Sequence, residues 1–136
     1  MQSWKNTKAY TLAVAEAMPA ESYGFKPTPE EMSFAGQMIH IAHANYAWFA
    51  GVLGEKRTIA DAKKDDKATV IAYLRDRFDY CIAALDRITT SQLDQSLPGV
   101  GGRDALLNMY MHVAHHRGQA VVYLRLKGIT PPDYHY

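Results

Sequence analysis

The sequence predicts an all-α fold, a bundle of four helices. Apolar residues recur three and four apart through most of the chain. Glycine and proline interrupt that pattern at only a few places. No useful length alternates with period two, as a half-buried strand would. Three of the four helices have around twenty residues or more, which corresponds to roughly 30–37 Å each and suits a bundle.

The first helix is expected over residues 3–18, with Ser3 as N-cap, Trp4, Thr11, Val14 and Met18 on one face, and Pro19 as its stop. Gly24, Pro27 and Pro29 mark a loop. Thr28-Pro29-Glu30-Glu31 has the form of a capping box with proline at the first helical position, so the second helix is expected over residues 29–53. Phe34, Met38, Ile41, Trp48 and Val52 form its apolar arc, and Gly54 follows as a C-terminal stop. Residues 55–67 are charged and read as a solvated connection, with Asp65 or Asp66 capping the third helix. Val70, Ile71, Leu74, Phe78, Cys81, Ile82, Leu85 and Ile88 carry that helix to about residue 89. Residues 91–102, rich in Ser, Gly and Pro, are expected to be a loop. The fourth helix is expected over residues 103–127, stopped by Gly128 with Ile129 placed for a Schellman contact and Pro131-Pro132 beyond. The tail, residues 133–136, is expected to be extended.

A chain of 136 residues is expected to form one domain, residues 1–136. Fifteen basic against fourteen acidic residues leave a formal charge of +1, with no electrostatic footprint for nucleic acid or an anionic membrane. One cysteine, Cys81, excludes an intramolecular disulfide framework. It falls on the apolar face of the third helix and reads as a buried, inert side chain. The first ten residues lack the apolar core of a signal peptide, and no window approaches a membrane span, so the expected location is cytoplasmic.

Six histidines are the unusual entry in the composition. His112 and His116 lie one helical turn apart on one face, where both imidazoles can reach one metal ion. Asn108, His112, His116, Gln119 and Tyr123 form a polar line along a largely apolar helix. Such a line either faces water or breaks the core pattern for a functional reason. On the second helix, His40 shares a face with Gly36, Ala44, Ala47 and Gly51. Small neighbours leave room for a metal, a ligand or a closely packed helix. Asn45 sits inside the apolar arc, where it either lines a cofactor pocket or hydrogen-bonds a buried backbone group. His43 points about 60° away from His40 and is the weaker candidate. His115 reads as exposed or as a supporting residue, and Arg117 as a salt-bridge or interface residue. Three neutral imidazoles suit Zn, Ni, Fe or Cu rather than Mg or Ca. Spacing alone also allows that these histidines hold no metal.

Three stretches resemble the DinB (damage-inducible) superfamily and its YfiT-like and thiol-transferase relatives. They are Tyr23-Gly24-Phe25-Lys26-Pro27-Thr28-Pro29-Glu30, then Ile39-His40-Ile41-Ala42 with Trp48, then His112-Val113-Ala114-His115-His116-Arg117-Gly118-Gln119 with Tyr123-Leu124-Arg125 and Gly128. The last is the most specific, and their order and separation cover nearly the whole chain. The resemblance implies an up-down-down-up four-helix bundle, often a homodimer. It implies a divalent metal held by three histidines, which fall here at His40, His112 and His116.

The resemblance further implies a metal-dependent enzyme of thiol-transferase or hydrolase type, with a low-molecular-weight thiol as cofactor or substrate. The metal would lower the pKa of a thiol or water. Gln119 would then orient what the metal binds and Tyr123 donate a hydrogen bond, as candidate catalytic residues. No Asp or Glu joins the histidine line, which argues against a protease-like carboxylate base. The other reading is a non-catalytic metal- or small-molecule-binding dimeric stress-response module. A fourth protein ligand would shift the balance towards it, and His43 or His115 would have to move to supply one.

Overall fold

The computed structural model describes residues 2–56, 62–97 and 100–134. Its helices are α1 (Gln2–Ala17), α2 (Phe34–Leu53), α3 (Lys67–Leu85), a short α4 (Thr90–Asp94) and α5 (Gly102–Leu126). A 3₁₀ turn, Ala20–Ser22, follows α1. Two-residue strands β1 (Ser96–Leu97) and β2 (Val100–Gly101) pair antiparallel, Ser96 with Gly101 and Leu97 with Val100.

The four long helices close a ring in the order α1, α3, α2, α5. Contacts between side chains fix their directions. Lys67 at the start of α3 donates to the carbonyls of Glu16 (2.7 Å) and Met18 (2.8 Å) at the end of α1, so these two run antiparallel. Arg77 of α3 lies 4.3 Å over the Tyr46 ring of α2, and Glu55, just past α2, bonds Tyr80 and Arg87, so α2 and α3 run the same way. Arg117 meets Thr11, and Trp4 meets Tyr110, so α5 runs with α1. The path is up, down, down, up. Trp4 sits inside the ring, edge-on to Phe49 at 5.1 Å and tilted against Phe78 at 6.4 Å. Met18, Phe34, Met38, Ile41, Leu74, Val113 and Leu124 are fully buried around this axis.

Several boundaries differ from the expected ones. Ser3 falls inside α1 rather than capping it. The second helix begins at Phe34, not at residue 29, and its N-cap is Ser33, whose hydroxyl accepts from Gly36 N–H at 3.0 Å. Thr28 and Glu31 instead close a turn. The reason is tertiary. The N–H groups of Phe34 and Ala35 donate to the carbonyls of Phe25 and Tyr23, both at 2.9 Å, which ties the helix start to the preceding loop. Tyr23 anchors that loop: it is buried, donates to the Ala15 carbonyl at 2.7 Å and stacks edge-on against Phe34. Burial and the nearby Glu16 carboxylate raise its phenol pKa, so the hydroxyl keeps its proton.

Asp66 caps α3, accepting from Thr69 N–H at 3.0 Å. α3 stops at Leu85, four residues early, because Thr89 opens a capping box with Gln92 that starts α4. The expected loop over residues 91–102 therefore holds α4 and the small ladder. Parts of the expected 55–67 connection, that loop and the tail lie outside the described residues. Gly54 and Gly128 take φ of +70° and +73° and close Schellman endings, with Ile129 N–H on the Leu124 carbonyl at 2.9 Å. Among the described residues no helix is long and apolar enough to cross a membrane.

Candidate metal centre

Antiparallel packing of α2 on α5 brings His40 against His112 and His116. The ligand atoms of the three imidazoles all lie within 4.8 Å of one another, the only such group of potential ligands among the described residues. His40 Nε2 and His112 Nε2 are 3.0 Å apart. Ring centroids are 4.4 Å apart for His40–His116 and His112–His116, and 4.9 Å for His40–His112. His116 is buried, and the other two are partly buried.

One buried side chain holds the cluster in register. Gln37, fully buried one turn before His40, sets its carbonyl oxygen 2.7 Å from His116 Nδ1. Its amide nitrogen donates to Gln119 Oε1 (2.6 Å) and to the Tyr123 hydroxyl (3.2 Å). Both amide hydrogens being taken, the Gln37 oxygen must face His116, and His116 must carry its proton on Nδ1. That leaves His116 Nε2 with a free lone pair, the tautomer a metal ligand needs. Tyr123 completes the network by donating to the Met32 carbonyl at 3.0 Å.

The electrostatics also favour neutral rings. Burial, then the neighbouring His112, His40 and His115, hold His116 down to about 4. Burial and His43 lower His40, while burial, His40 and His115 lower His112. These shifts keep the three rings neutral at neutral pH. A tetrahedral site with bonds near 2.1 Å would place donors about 3.4 Å apart. The His40–His112 pair is closer than that, and all three ligand atoms lie within 4.8 Å of one another. The donor set fits a divalent ion that accepts imidazole.

The same shifts predict a pH dependence for protein stripped of metal. The unfolded chain, with ordinary histidines near 6.5, binds more protons than the folded one between there and about 4. Stability is then fully present above 6.5 and falls as pH drops toward 4. The urea midpoint should decline between pH 7 and 5, and His116→Gln should flatten that decline. An unchanged slope in the variant would show that His116 titrates normally.

The other candidates are placed as follows. Gln119 joins the site through Gln37, and its amide nitrogen donates to His115 Nε2 at 2.8 Å. The Tyr123 hydroxyl is committed to Gln37 and Met32. His115 is exposed, with its ring edge-on to His116 at 4.9 Å. Neither His43 nor His115 joins the converging ligand atoms. Asn108 is exposed. Asn45 is fully buried, and neither of its amide atoms has a partner among the described residues. Arg117 is buried, 4.8 Å from the Tyr10 ring and 5.4 Å from that of Tyr134, so it stacks on aromatic faces. Cys81 is fully buried, and burial pushes its thiol pKa up, which makes it inert as expected. Gln37 was not singled out from the sequence. The available signal was a polar residue three before His40, on the same helical face.

A cleft of about 260 Å³ opens beside this network, lined by Pro27, Thr28, Glu31, Gln119, Val122 and Tyr123. It places one carboxylate, Glu31, in the wall that Gln119 and Tyr123 share.

Comparison with known proteins agrees with the fold. The family model of the DinB superfamily matches residues 3–120. The uncharacterized protein YjoA of Bacillus subtilis (strain 168) is 30% identical over 130 residues, covering 88% of this chain and 83% of its own length. The crystal structure of that DinB-like protein superposes with a TM-score of 0.79 at 23% identity, covering 98% of both chains. A DinB-like protein from Bacillus cereus ATCC 10987 superposes with a TM-score of 0.82 at 22% identity, covering 98% of this chain and 94% of the other.

Proposed function

The chain belongs to the DinB superfamily, and we propose that it is a metal-dependent enzyme of thiol-transferase or hydrolase type acting on a small molecule. His40, His112 and His116 would hold one divalent transition metal, Zn, Ni or Fe. The observation that carries the reading is the convergence of three neutral imidazoles, one of them held in ligand tautomer by Gln37. A metal bound by three imidazoles keeps at least one position for a small molecule and makes a thiol or water acidic enough to serve as a nucleophile at neutral pH.

The chain's own residues supply the rest. Gln37 fixes the His116 ring, while Gln119 and Tyr123 fix Gln37. The cleft beside Gln119 would seat the part of the substrate that the metal does not touch, with Glu31 and Thr28 as its polar contacts. A fourth protein ligand would favour the non-catalytic alternative. His115 is hydrogen-bonded to Gln119 and its ligand atoms do not join the converging set, which favours an open site.

Cobalt(II) loading tests the reading, with 2-mercaptoethanol as the probe. A sulfur-to-cobalt charge-transfer band should appear when the thiol is added to wild type, and should be absent in His112→Ala. A cobalt-loaded protein whose spectrum ignores the thiol would remove the thiol-transfer reading. A spectrum showing four protein ligands would favour the non-catalytic module.

A further inference from the structure

Arg117 is a buried cation that no carboxylate neutralises among the described residues. Burying a guanidinium is costly unless something offsets it. What offsets it here is neutral. The Thr11 hydroxyl accepts from it at 3.4 Å, and the rings of Tyr10 and Tyr134 lie 4.8 Å and 5.4 Å away. The same two rings, edge-on to each other at 4.8 Å, form one wall of a cavity of about 570 Å³. Arg125, in the last turn of α5, and the tail, residues 128–134, form the rest. The cavity shares no residue with the histidine cluster or with the cleft beside Gln119.

Local chemistry sets the tail in place. Gly128 turns it off the end of α5, Ile129 N–H closes on the Leu124 carbonyl, and Tyr134 packs on Tyr10. Pro131 and Pro132 stiffen the path between. The cavity is therefore preformed, and its size is that of small-molecule sites. Ile129, the two prolines and the tyrosine rings give it apolar walls. Its lining charges are Arg125 and Asp133, both exposed, and neither is ion-paired among the described residues. Arg117 lies behind the aromatic wall, where a charge is weakly screened. Two cations thus outweigh one carboxylate, and the cavity is net positive. We propose that it binds a small organic acid with an apolar, ring-sized body. The ligand's carboxylate would sit on the Arg125 guanidinium, which can grip it with two parallel hydrogen bonds. Its body would lie against the tyrosine rings and the prolines. Arg117 follows the candidate ligand His116 in the chain, so the two sites adjoin through one turn of α5. The proposal holds whether or not the histidines bind metal.

Chemical-shift titration of the full, isotope-labelled chain with sodium benzoate tests it, at constant ionic strength. Benzoate should move the amides of Tyr10, Arg125, Ile129 and Thr130 and saturate with a Kd of about 1 mM, as suits so small a probe. Benzylamine, the same ring carrying a cation, and acetate, the same charge without the ring, should each bind about tenfold more weakly or worse. Arg125→Gln should weaken benzoate about tenfold, and Asp133→Asn should tighten it about twofold by removing a like charge. Both positions are exposed, and unchanged spectra away from the cavity check that the variants fold. Arg117→Met should weaken benzoate about threefold through the lost field. Shifts that fail to saturate by about 50 mM overturn the proposal, as does an Arg125→Gln chain that binds benzoate as wild type does. Benzylamine binding as well as benzoate, or benzoate weakened by Asp133→Asn, overturns the sign assigned to the cavity. Acetate binding as well as benzoate overturns the apolar body.

Discussion

Alanine at His116 or His112 is expected to strip the metal from the protein. Tag-free wild type, purified without added metal, should carry about one ion per chain by plasma mass spectrometry, and either variant close to none. Removing only a supporting residue from a metal site typically costs 10–100-fold in affinity, and removing one of three imidazoles should cost at least a hundredfold. The loss should come without unfolding. His116→Ala leaves the Gln37 oxygen without its donor, a cost of about 1–3 kcal/mol, against roughly 5–15 kcal/mol for a domain of this kind. The apolar core runs through Trp4, Phe34, Phe49, Phe78 and Leu124 and contains none of the three histidines. Chelation should therefore leave the far-ultraviolet circular dichroism intact. Unchanged metal content in both variants would sink the ligand assignment, and helix loss on chelation would point to a structural ion.

What could be read in the sequence follows from how local each signal is. Gly54 and Gly128 were legible as stops because a helix end needs a left-handed residue and only those bonds nearby. Asp66 was legible for the same reason. His112 and His116 share a turn, so their pairing needed only the helical period. The start of α2 was not legible. Two cap signals compete there, Thr28-x-x-Glu31 and Ser33, and the choice is made by the Tyr23 and Phe25 carbonyls that take the first α2 amides. α4 was hidden in a stretch rich in turn residues, although Thr89-x-x-Gln92 carried its capping box. Gln37 shares a helical face with His40, but its role comes from α5, more than seventy residues away, and the helical period of α2 does not report those partners. Its partners Gln119 and Tyr123 were found by the same polar line that gave the histidines, but not the glutamine that ties them to His116.

Replacing Gln37 should separate orientation from packing. Gln37→Met keeps the shape of the side chain and removes every hydrogen bond it makes. His116 Nδ1–H then loses its acceptor and the ring is free to turn, so metal affinity should fall 10–100-fold. Gln119 loses a donor as well, and the variant should be less stable by about 1–3 kcal/mol. Gln37→Glu behaves differently. A carboxylate still accepts from His116 Nδ1–H, more strongly than an amide, and makes the ring a better ligand. It cannot donate to Gln119, and buried at this position it destabilises the metal-free protein. Metal binding should therefore rank the glutamate variant at or above wild type and the methionine variant well below. Thermal stability without metal should rank wild type above both. Competition with a chromophoric chelator measures the first ranking and melts in the presence of EDTA the second. A methionine variant that binds metal as wild type does would mean that Gln37 only fills space. A glutamate variant that fails alongside it would mean that the donor bonds to Gln119 and Tyr123, rather than the acceptor for His116, hold the site together.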